Sequence, residues 1–158
     1  MTRFGDLLRR LVERGVDCIV VGGIAGVAHG AARATYDLDV VYDRKPGNLR
    51  RLAGALEDLS PSLRGAPPGL PFRLDSATLR SGLNFTLTTE WGDLDLLGEI
   101  VGGGTYDELF EETVIATMFG VECRCLTLDR LIAVKRAAGR PKDLEAIAEL
   151  EALREERS

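Results

Sequence analysis

Residues 20–43 read V-V-G-G-I-A-G-V-A-H-G-A-A-R-A-T-Y-D-L-D-V-V-Y-D, and this stretch decides how the rest of the chain is arranged. Ile19–Val21 is an apolar run that predicts a buried strand, and the glycine pair Gly22–Gly23 ends it. Ile24–Ala28 predicts a short helix, and Leu38–Tyr42 predicts a second strand. The stretch therefore predicts a strand, a glycine turn, a short helix and a return strand.

Two acidic residues stand at the head of the second predicted strand. Asp37 and Asp39 are two residues apart, so in a strand their carboxylates project from the same face. Carboxylates held side by side repel each other unless a cation lies between them, and Mg²⁺ favours carboxylate oxygens together with water and phosphate. Gly22 and Gly23 allow the backbone to approach an anion closely. A phosphate at the glycine turn and a metal at the aspartates are the two halves of a phosphoryl-transfer site.

The order of these motifs resembles the signature of the polymerase-β-like nucleotidyltransferase superfamily. That signature has a hydrophobic residue before Gly and Gly or Ser, then Asp-hydrophobic-Asp-hydrophobic after a gap. A third acidic residue lies between hydrophobic residues on a later strand. Val21–Gly23, Asp37–Val40 and Leu94–Leu96 match this signature in the same order. Gly-Gly in place of the commoner Gly-Ser lacks a hydroxyl that the family often uses on phosphate.

Two aspartates are candidates for the third acid. Residues Leu83–Thr89 alternate between apolar and polar, and Asp93–Leu97 returns as the second strand of a predicted hairpin. Asp93 and Asp95 share one face of that strand. We prefer Asp95, because a leucine flanks it on each side and places it deeper in the strand. The alternative for both acids is a solvated strand face.

A motif near the C-terminal end supports the same resemblance. Residues 131–144 read L-I-A-V-K-R-A-A-G-R-P-K-D-L and are similar to the tail motif of the AbiEii-like branch, a lysine followed by R-x-K-D. In that branch the lysine and the late Lys-Asp pair are taken to face the nucleotide, which implies this role for Lys135, Lys142 and Asp143. Lys135 also continues the apolar stripe of a predicted helix, where its ammonium needs an anion nearby or a path to water. A solvated helix junction is the alternative for Lys142 and Asp143.

Further candidates lie between the glycine turn and the aspartate pair. Arg33 and Thr35 lead into Asp37, and we include both among the nucleotide-binding candidates. The fork of the Arg33 guanidinium suits a triphosphate, and a solvated loop arginine is the alternative. His29 is the only histidine. It is either a base or nucleotide contact or, in the interpretation we favour, a helix-end side chain bonded to a free carbonyl.

Composition limits the classes of function. A chain of 158 residues has a size suited to one domain, which we place over residues 1–158. The net charge of −5 argues against a broad nucleic-acid-binding surface, although it is compatible with a local basic groove. With one histidine, a Cys/His zinc site would be short of ligands, so the three cysteines are expected to be buried thiols. The sequence has no membrane-length apolar run and no signal-peptide core, which predicts a cytoplasmic protein with no membrane partner.

The resemblance implies an α/β (α+β) fold of the nucleotidyltransferase type, with a small, mixed, mostly antiparallel β-sheet and packed helices. Ser60–Pro71, which holds four of the six prolines, predicts a loop within this fold. The resemblance also implies Mg²⁺-dependent transfer of an NMP group from an NTP to an acceptor. Asp37 and Asp39 would hold the metal ions, Asp95 would complete the second metal site and help deprotonate the acceptor, and Lys135 would neutralise developing charge.

The motifs leave the acceptor open. The AbiEii-like resemblance suggests tRNA, with the protein acting in a toxin–antitoxin or phage-defence system beside a cognate antitoxin or another partner protein. An aminoglycoside or lincosamide antibiotic is a second candidate acceptor, and a protein hydroxyl is a third. The non-enzymatic alternative is a nucleotide-binding module, which binds NTP without releasing pyrophosphate.

Overall fold

Helices and strands follow one another along the chain in the computed structural model, which describes residues 3–32, 35–67 and 69–157. The strands are β1 (Cys18–Val21), β2 (Asp37–Tyr42), β3 (Ser62–Leu63), β4 (Asn84–Thr89), β5 (Gly92–Leu97), β6 (Glu99–Ile100), β7 (Gly104–Thr105), β8 (Thr113–Met118) and β9 (Val121–Leu126). The helices are α1 (Phe4–Glu13), α2 (Gly22–Ala28), α3 (Pro46–Leu56), α4 (Ser76–Ser81), α5 (Tyr106–Leu109), α6 (Leu128–Ala138) and α7 (Pro141–Glu156). Short 3₁₀ turns cover Glu57–Leu59 and Phe110–Glu112.

One mixed sheet organises the fold. Its strands lie in the order β3-β4-β5-β2-β1-β9-β8. The pairs β2/β5 and β1/β9 are parallel, and the other four pairs are antiparallel. The predicted fold class, a mixed and mostly antiparallel sheet with packed helices, is therefore confirmed. The strands β6 and β7 form a separate small sheet.

The central strands are largely apolar, apart from Asp37 and Asp39 of β2, because both faces of the sheet are covered there. Ile19 and Val20 of β1 are fully buried, as are Leu38 and Val40 of β2. The buried hydrophobic side chains of the described residues form one cluster. None of the helices in the described ranges is long and apolar enough to span a bilayer.

The sheet has one apolar and one polar face at β4 and β5. On β4 the side chains of Phe85 and Leu87 are buried, whereas Thr86 and Thr88 point to solvent. On β5 Leu94 and Leu96 are buried, and Asp93 and Asp95 lie on the other face. Because antiparallel pairing sets Thr86 beside Asp95, the polar side chains of the two strands share a face. This polar face continues onto the start of β2, which pairs with β5.

The predicted loop over Ser60–Pro71 is only partly correct. Ser62 and Leu63 form β3, a two-residue edge strand that pairs with β4. The backbone N–H of Arg64 extends this contact by donating to the carbonyl of Thr86 at 2.9 Å. A strand of two residues is too short for its alternation to be visible in the sequence.

Candidate active site

Three carboxylates meet where β2 and β5 run side by side. Asp37 and Asp39 lie at the start of β2, and the parallel register places Asp39 directly beside Asp95 of β5. One carboxylate oxygen from each residue lies within 4.8 Å of the corresponding oxygens of the other two. We call Asp37, Asp39 and Asp95 the acid triad.

The environment of the acid triad disfavours three negative charges. Burial raises the pKa of Asp39 to about 8, and the charges of Asp37 and Asp95 act in the same direction. Burial, followed by the charge of Asp95, also raises the pKa of Asp37, against the opposing effect of Arg64. Oδ1 of Asp39 is buried and has no hydrogen-bond partner among the described residues. A divalent cation would satisfy this oxygen and offset the repulsion, so the oxygen ligands present here fit Mg²⁺.

We expect the metal-free protein to lose stability as the pH rises. The pKa of Asp39 is about 8 in the folded chain, against an ordinary value of 3.8 that applies to the unfolded chain. The folded state therefore binds this proton more tightly. The resulting stabilisation is complete below the unfolded pKa and disappears as the pH rises through the folded pKa. Calorimetry in EDTA should show Tm falling by several degrees between about pH 5 and about pH 9.

Two variants test the cause of this pH dependence. Asp39→Asn should flatten the dependence of Tm on pH, because the variant has no proton to lose at this position. Asp129→Asn removes a carboxylate whose side chain is 78% exposed, and it should leave the wild-type slope unchanged. A wild-type slope in Asp39→Asn would contradict the assignment to Asp39.

The glycine pair is required by close packing against the site. Gly22 has φ = +68°, and a Cβ atom there would lie 2.1 Å from Oδ2 of Asp39. A Cβ atom on Gly23 would lie 2.5 Å from Cγ2 of Thr35. Neither position has room for a side chain. The absence of Cβ atoms therefore lets Asp39 and Thr35 lie against the backbone at the start of α2.

A cavity of about 450 Å³ opens beside the acid triad, between the start of α2 and the helices α6 and α7. All the predicted site residues within the described ranges line it, namely Gly22, Gly23, Thr35, Asp37, Asp39, Asp95, Lys135, Lys142 and Asp143. Arg33, the remaining candidate, lies outside the described residues. Segments that are far apart in the sequence thus supply the walls of one cavity.

Cationic side chains from α6 and α7 line part of this cavity. Lys135 projects from α6, and burial lowers its pKa, whereas the nearby charges of Asp143 and Asp39 raise it. Arg140 and Lys142 line the cavity at the start of α7. The cavity therefore holds carboxylates for a metal and cations for phosphate oxygens.

Asp143 has a partner within the protein. Its side chain is 2–3% exposed, and Oδ2 accepts a hydrogen bond from Nε of Arg140 at 2.6 Å. Nη2 of Arg140 donates to the other oxygen at 3.2 Å. Asp143 therefore holds the Arg140 guanidinium at the cavity wall, in addition to lining the cavity itself.

The motifs do not identify three residues that the structure places at the site. Arg140 lies within the R-x-K-D motif, whose arginine is the signal that could have indicated it. Glu149 lines the cavity from α7, and its Oε2 accepts from the backbone N–H of Ala32 at 3.0 Å. Arg64 contacts Asp95 through Nη2 at 2.8 Å. No local pattern marks Glu149 or Arg64, because each reaches the site through tertiary packing.

Neither Asp93 nor His29 is among the described residues that line the cavity. Asp93 is paired with Arg64, with Nε and Oδ2 3.3 Å apart, and it accepts from the hydroxyl of Thr88 at 3.2 Å. It is therefore Asp95 that completes the acid triad. Nε2 of His29 lies 2.7 Å from the carbonyl oxygen of Leu126, and this helix-end contact is the interpretation favoured from the sequence.

Comparison with known proteins identifies the fold. No protein-family model and no curated protein matches this sequence. A Thermotoga maritima protein provisionally described as a nucleotidyltransferase matches over 98% of this chain and 94% of its own, with a TM-score of 0.55 and 14% identity. ANT(2")-Ia in complex with adenylyl-2"-tobramycin matches over 98% of this chain and 97% of its own, with a TM-score of 0.54 and 16% identity. The chain has the nucleotidyltransferase fold. At these identities the similarity concerns the fold alone, and the AbiEii-like assignment stays a prediction.

Proposed function

We propose that this protein is a Mg²⁺-dependent nucleotidyltransferase, which moves an NMP group from an NTP to a hydroxyl of an acceptor. The observation that carries the proposal is the meeting of the acid triad with Lys135, Arg140 and Lys142 in one cavity. A metal–nucleotide complex needs both features, carboxylates for the cation and cations for the phosphates. The fold shared with the two nucleotidyltransferase structures supports the same reaction class.

In this proposal the acid triad binds the metal. Asp37 and Asp39 would hold Mg²⁺, and Asp95 would complete a second metal site. Bound Mg²⁺ would neutralise charge on the triphosphate and on the departing pyrophosphate. Oδ1 of Asp39 has no hydrogen-bond partner in the described part of the chain, which supports this role, because a buried carboxylate oxygen without a donor is costly unless a ligand satisfies it.

The remaining residues orient the nucleotide and take up charge and protons. Gly22 and Gly23 line the cavity, where their backbone at the start of α2 would approach the triphosphate. Lys135 presents its ammonium to the charge that develops during transfer. Asp95 accepts the proton of the attacking hydroxyl. The α-phosphorus gains a bond to the acceptor oxygen and loses its bond to pyrophosphate.

The acceptor is a separate part of the proposal. The AbiEii-like tail motif favours tRNA and a role in a toxin–antitoxin or phage-defence system with a partner protein. The fold shared with ANT(2")-Ia, whose structure contains adenylyl-2"-tobramycin, favours an antibiotic of that class. The net charge of −5 suits a cationic antibiotic better than a polyanion. We therefore propose both acceptors for direct comparison.

The transfer reaction can be tested with each α-³²P-labelled NTP in the presence of Mg²⁺. Total tRNA, tobramycin or neither is added, and label is followed in RNA, in antibiotic and in protein. Pyrophosphate release that depends on one acceptor would support transfer to that acceptor. Label in the protein itself or in an added partner would identify a protein hydroxyl. Nucleotide binding without pyrophosphate release under every condition would favour the non-enzymatic binding module.

Lys135 provides a further prediction for this assay. We expect Lys135→Gln to lower kcat by about 100-fold, because one preorganised charge facing the transition state is removed. Lys45→Gln is the matched control, since Lys45 is exposed and pairs with Asp43 and Asp107 away from the cavity. The control should keep the wild-type rate. Equal rates for the two variants would contradict the role of Lys135.

A further inference from the structure

Arg64 holds a position across the acidic side chains of β2 and β5. Its Nη2 lies 2.8 Å from Oδ1 of Asp95, and its Nε lies 3.3 Å from Oδ2 of Asp93. Nη1 lies 4.0 Å from Oδ2 of Asp37. One guanidinium therefore contacts two members of the acid triad and the aspartate next to it. Among the described residues, Arg64 is the cationic side chain that forms ion pairs with the acid triad.

A hydrogen bond to the backbone, in addition to the ion pairs, holds the Arg64 guanidinium in place. Nη2 also donates to the carbonyl oxygen of Leu87 in β4 at 2.8 Å. The backbone of Arg64 is fixed to β4 by its hydrogen bond to Thr86. The side chain is 30% exposed, in contrast to a freely solvated surface arginine. It extends from the end of β3 over β4 to β5, along the polar face of the sheet.

This arrangement makes the two sides of the acid triad unequal. Oδ1 of Asp95 accepts the Arg64 hydrogen bond, so the guanidinium places a positive charge against one of the two oxygens through which Asp95 could bind a cation. Oδ1 of Asp39 has no hydrogen-bond partner among the described residues. A cation can therefore bind at Oδ1 of Asp39 without competing for the oxygen that Arg64 contacts, whereas at Asp95 it competes with the guanidinium for the carboxylate.

We propose that Arg64 is an internal counter-ion that competes with a divalent cation for Asp95. Asp93 provides the position to which the guanidinium withdraws, because it already contacts Nε and lies on the same strand face. Thr88 holds the Asp93 carboxylate in place. The inference rests on the metal site of the proposed function, but it does not depend on the transfer reaction or its acceptor.

Mn²⁺ binding tests this inference without any activity assay. Isothermal titration and electron paramagnetic resonance would be used with the wild type, Arg64→Gln and Arg73→Gln. In Arg64→Gln, we expect the weaker Mn²⁺ site to tighten about fivefold or more, the size of effect that one partly exposed ion pair makes. The tighter site should change by less than about twofold, because Arg64 does not cover the Asp39 side.

Two variants separate displacement from a general change of charge or stability. Arg73 is 88% exposed and pairs with Asp75 at 3.8 Å, so Arg73→Gln removes the same charge and should leave both affinities unchanged. Arg64→Lys keeps the charge without the fork, and it should give an intermediate affinity. Circular dichroism would establish that each variant is folded.

The outcomes distinguish this inference from the proposed function. Unchanged or weaker Mn²⁺ binding in folded Arg64→Gln overturns the counter-ion role. Equal tightening in Arg73→Gln also overturns it. Mn²⁺ binding that behaves as expected, in a protein that transfers no nucleotide to any acceptor, supports the counter-ion role and overturns the transferase proposal alone.

Discussion

We expect Asp37→Asn and Asp39→Asn each to lower the rate of the proposed nucleotidyl transfer by about 1,000-fold or more. Each substitution removes a proposed metal ligand from the acid triad, in which one carboxylate oxygen of each residue lies within 4.8 Å of the others. Charge stabilisation of this kind is among the largest contributions to catalysis, and it cannot be replaced by a neutral amide. The measurement is the initial rate of pyrophosphate release at saturating Mg²⁺ and NTP, with the acceptor identified by label transfer.

The control for this loss separates catalysis from folding. Asn keeps the shape of the side chain and removes a charge that burial disfavours, so metal-free Asp39→Asn should be at least as stable as the wild type near neutral pH. Asp129→Asn should keep the wild-type rate, because this aspartate pairs with Arg154 outside the cavity. Full turnover by either triad variant would rule out the assignment of the metal ligands.

We expect Gly22→Ala to have the second large effect, on both stability and metal binding. The new methyl group would lie 2.1 Å from Oδ2 of Asp39, so the carboxylate must rotate away or the start of α2 must move. The backbone adds a cost of about 1–2 kcal/mol, because φ = +68° is unfavourable for alanine. We expect Mn²⁺ affinity to fall by about tenfold or more and Tm to fall by about 8 °C.

Gly120→Ala isolates the steric part of that effect. Gly120 has φ = +81°, and a Cβ atom there would meet nothing within 4 Å. This variant therefore has the same kind of backbone strain without the collision. It should lose only about 3–4 °C in Tm and keep the wild-type Mn²⁺ affinity. If the two variants behaved alike, the contact between Gly22 and Asp39 would not be what requires glycine.

Local patterns in the sequence predict much of the fold. The alternation over Leu83–Thr89 and the return over Asp93–Leu97 predict the β4/β5 hairpin, which the structure contains. The apolar run before Gly22 predicts β1, and its lack of alternation fits a strand in the middle of the sheet. The edge strand β3 escapes prediction, because two residues within a proline-rich segment carry no periodicity.

The candidate site, like the fold, could be predicted from the sequence only in part. The spacing of Asp37 and Asp39 is enough to place both carboxylates on one strand face, since this is a property of any strand. For the third acid, the flanking leucines of Asp95 give only a reason to prefer it over Asp93. The parallel register of β5 against β2 sets Asp93 beside Asp37 and Asp95 beside Asp39. Among the described residues it is Asp95 whose carboxylate oxygen lies within 4.8 Å of oxygens of both Asp37 and Asp39. Register depends on packing between segments that are distant in the sequence.

By itself, the sequence determined the elements whose causes are local: the strand, the glycine turn and the paired aspartates within residues 20–43. It also indicated the cationic tail through its similarity to a known motif. Only the tertiary structure decided what surrounds the acid triad. Arg64 arrives from the end of β3 and Glu149 from the middle of α7, and neither has a neighbour in sequence that explains its position. The physical reason is that side-chain charges interact through space, so the partners of a carboxylate depend on how strands and helices pack and not on their order along the chain.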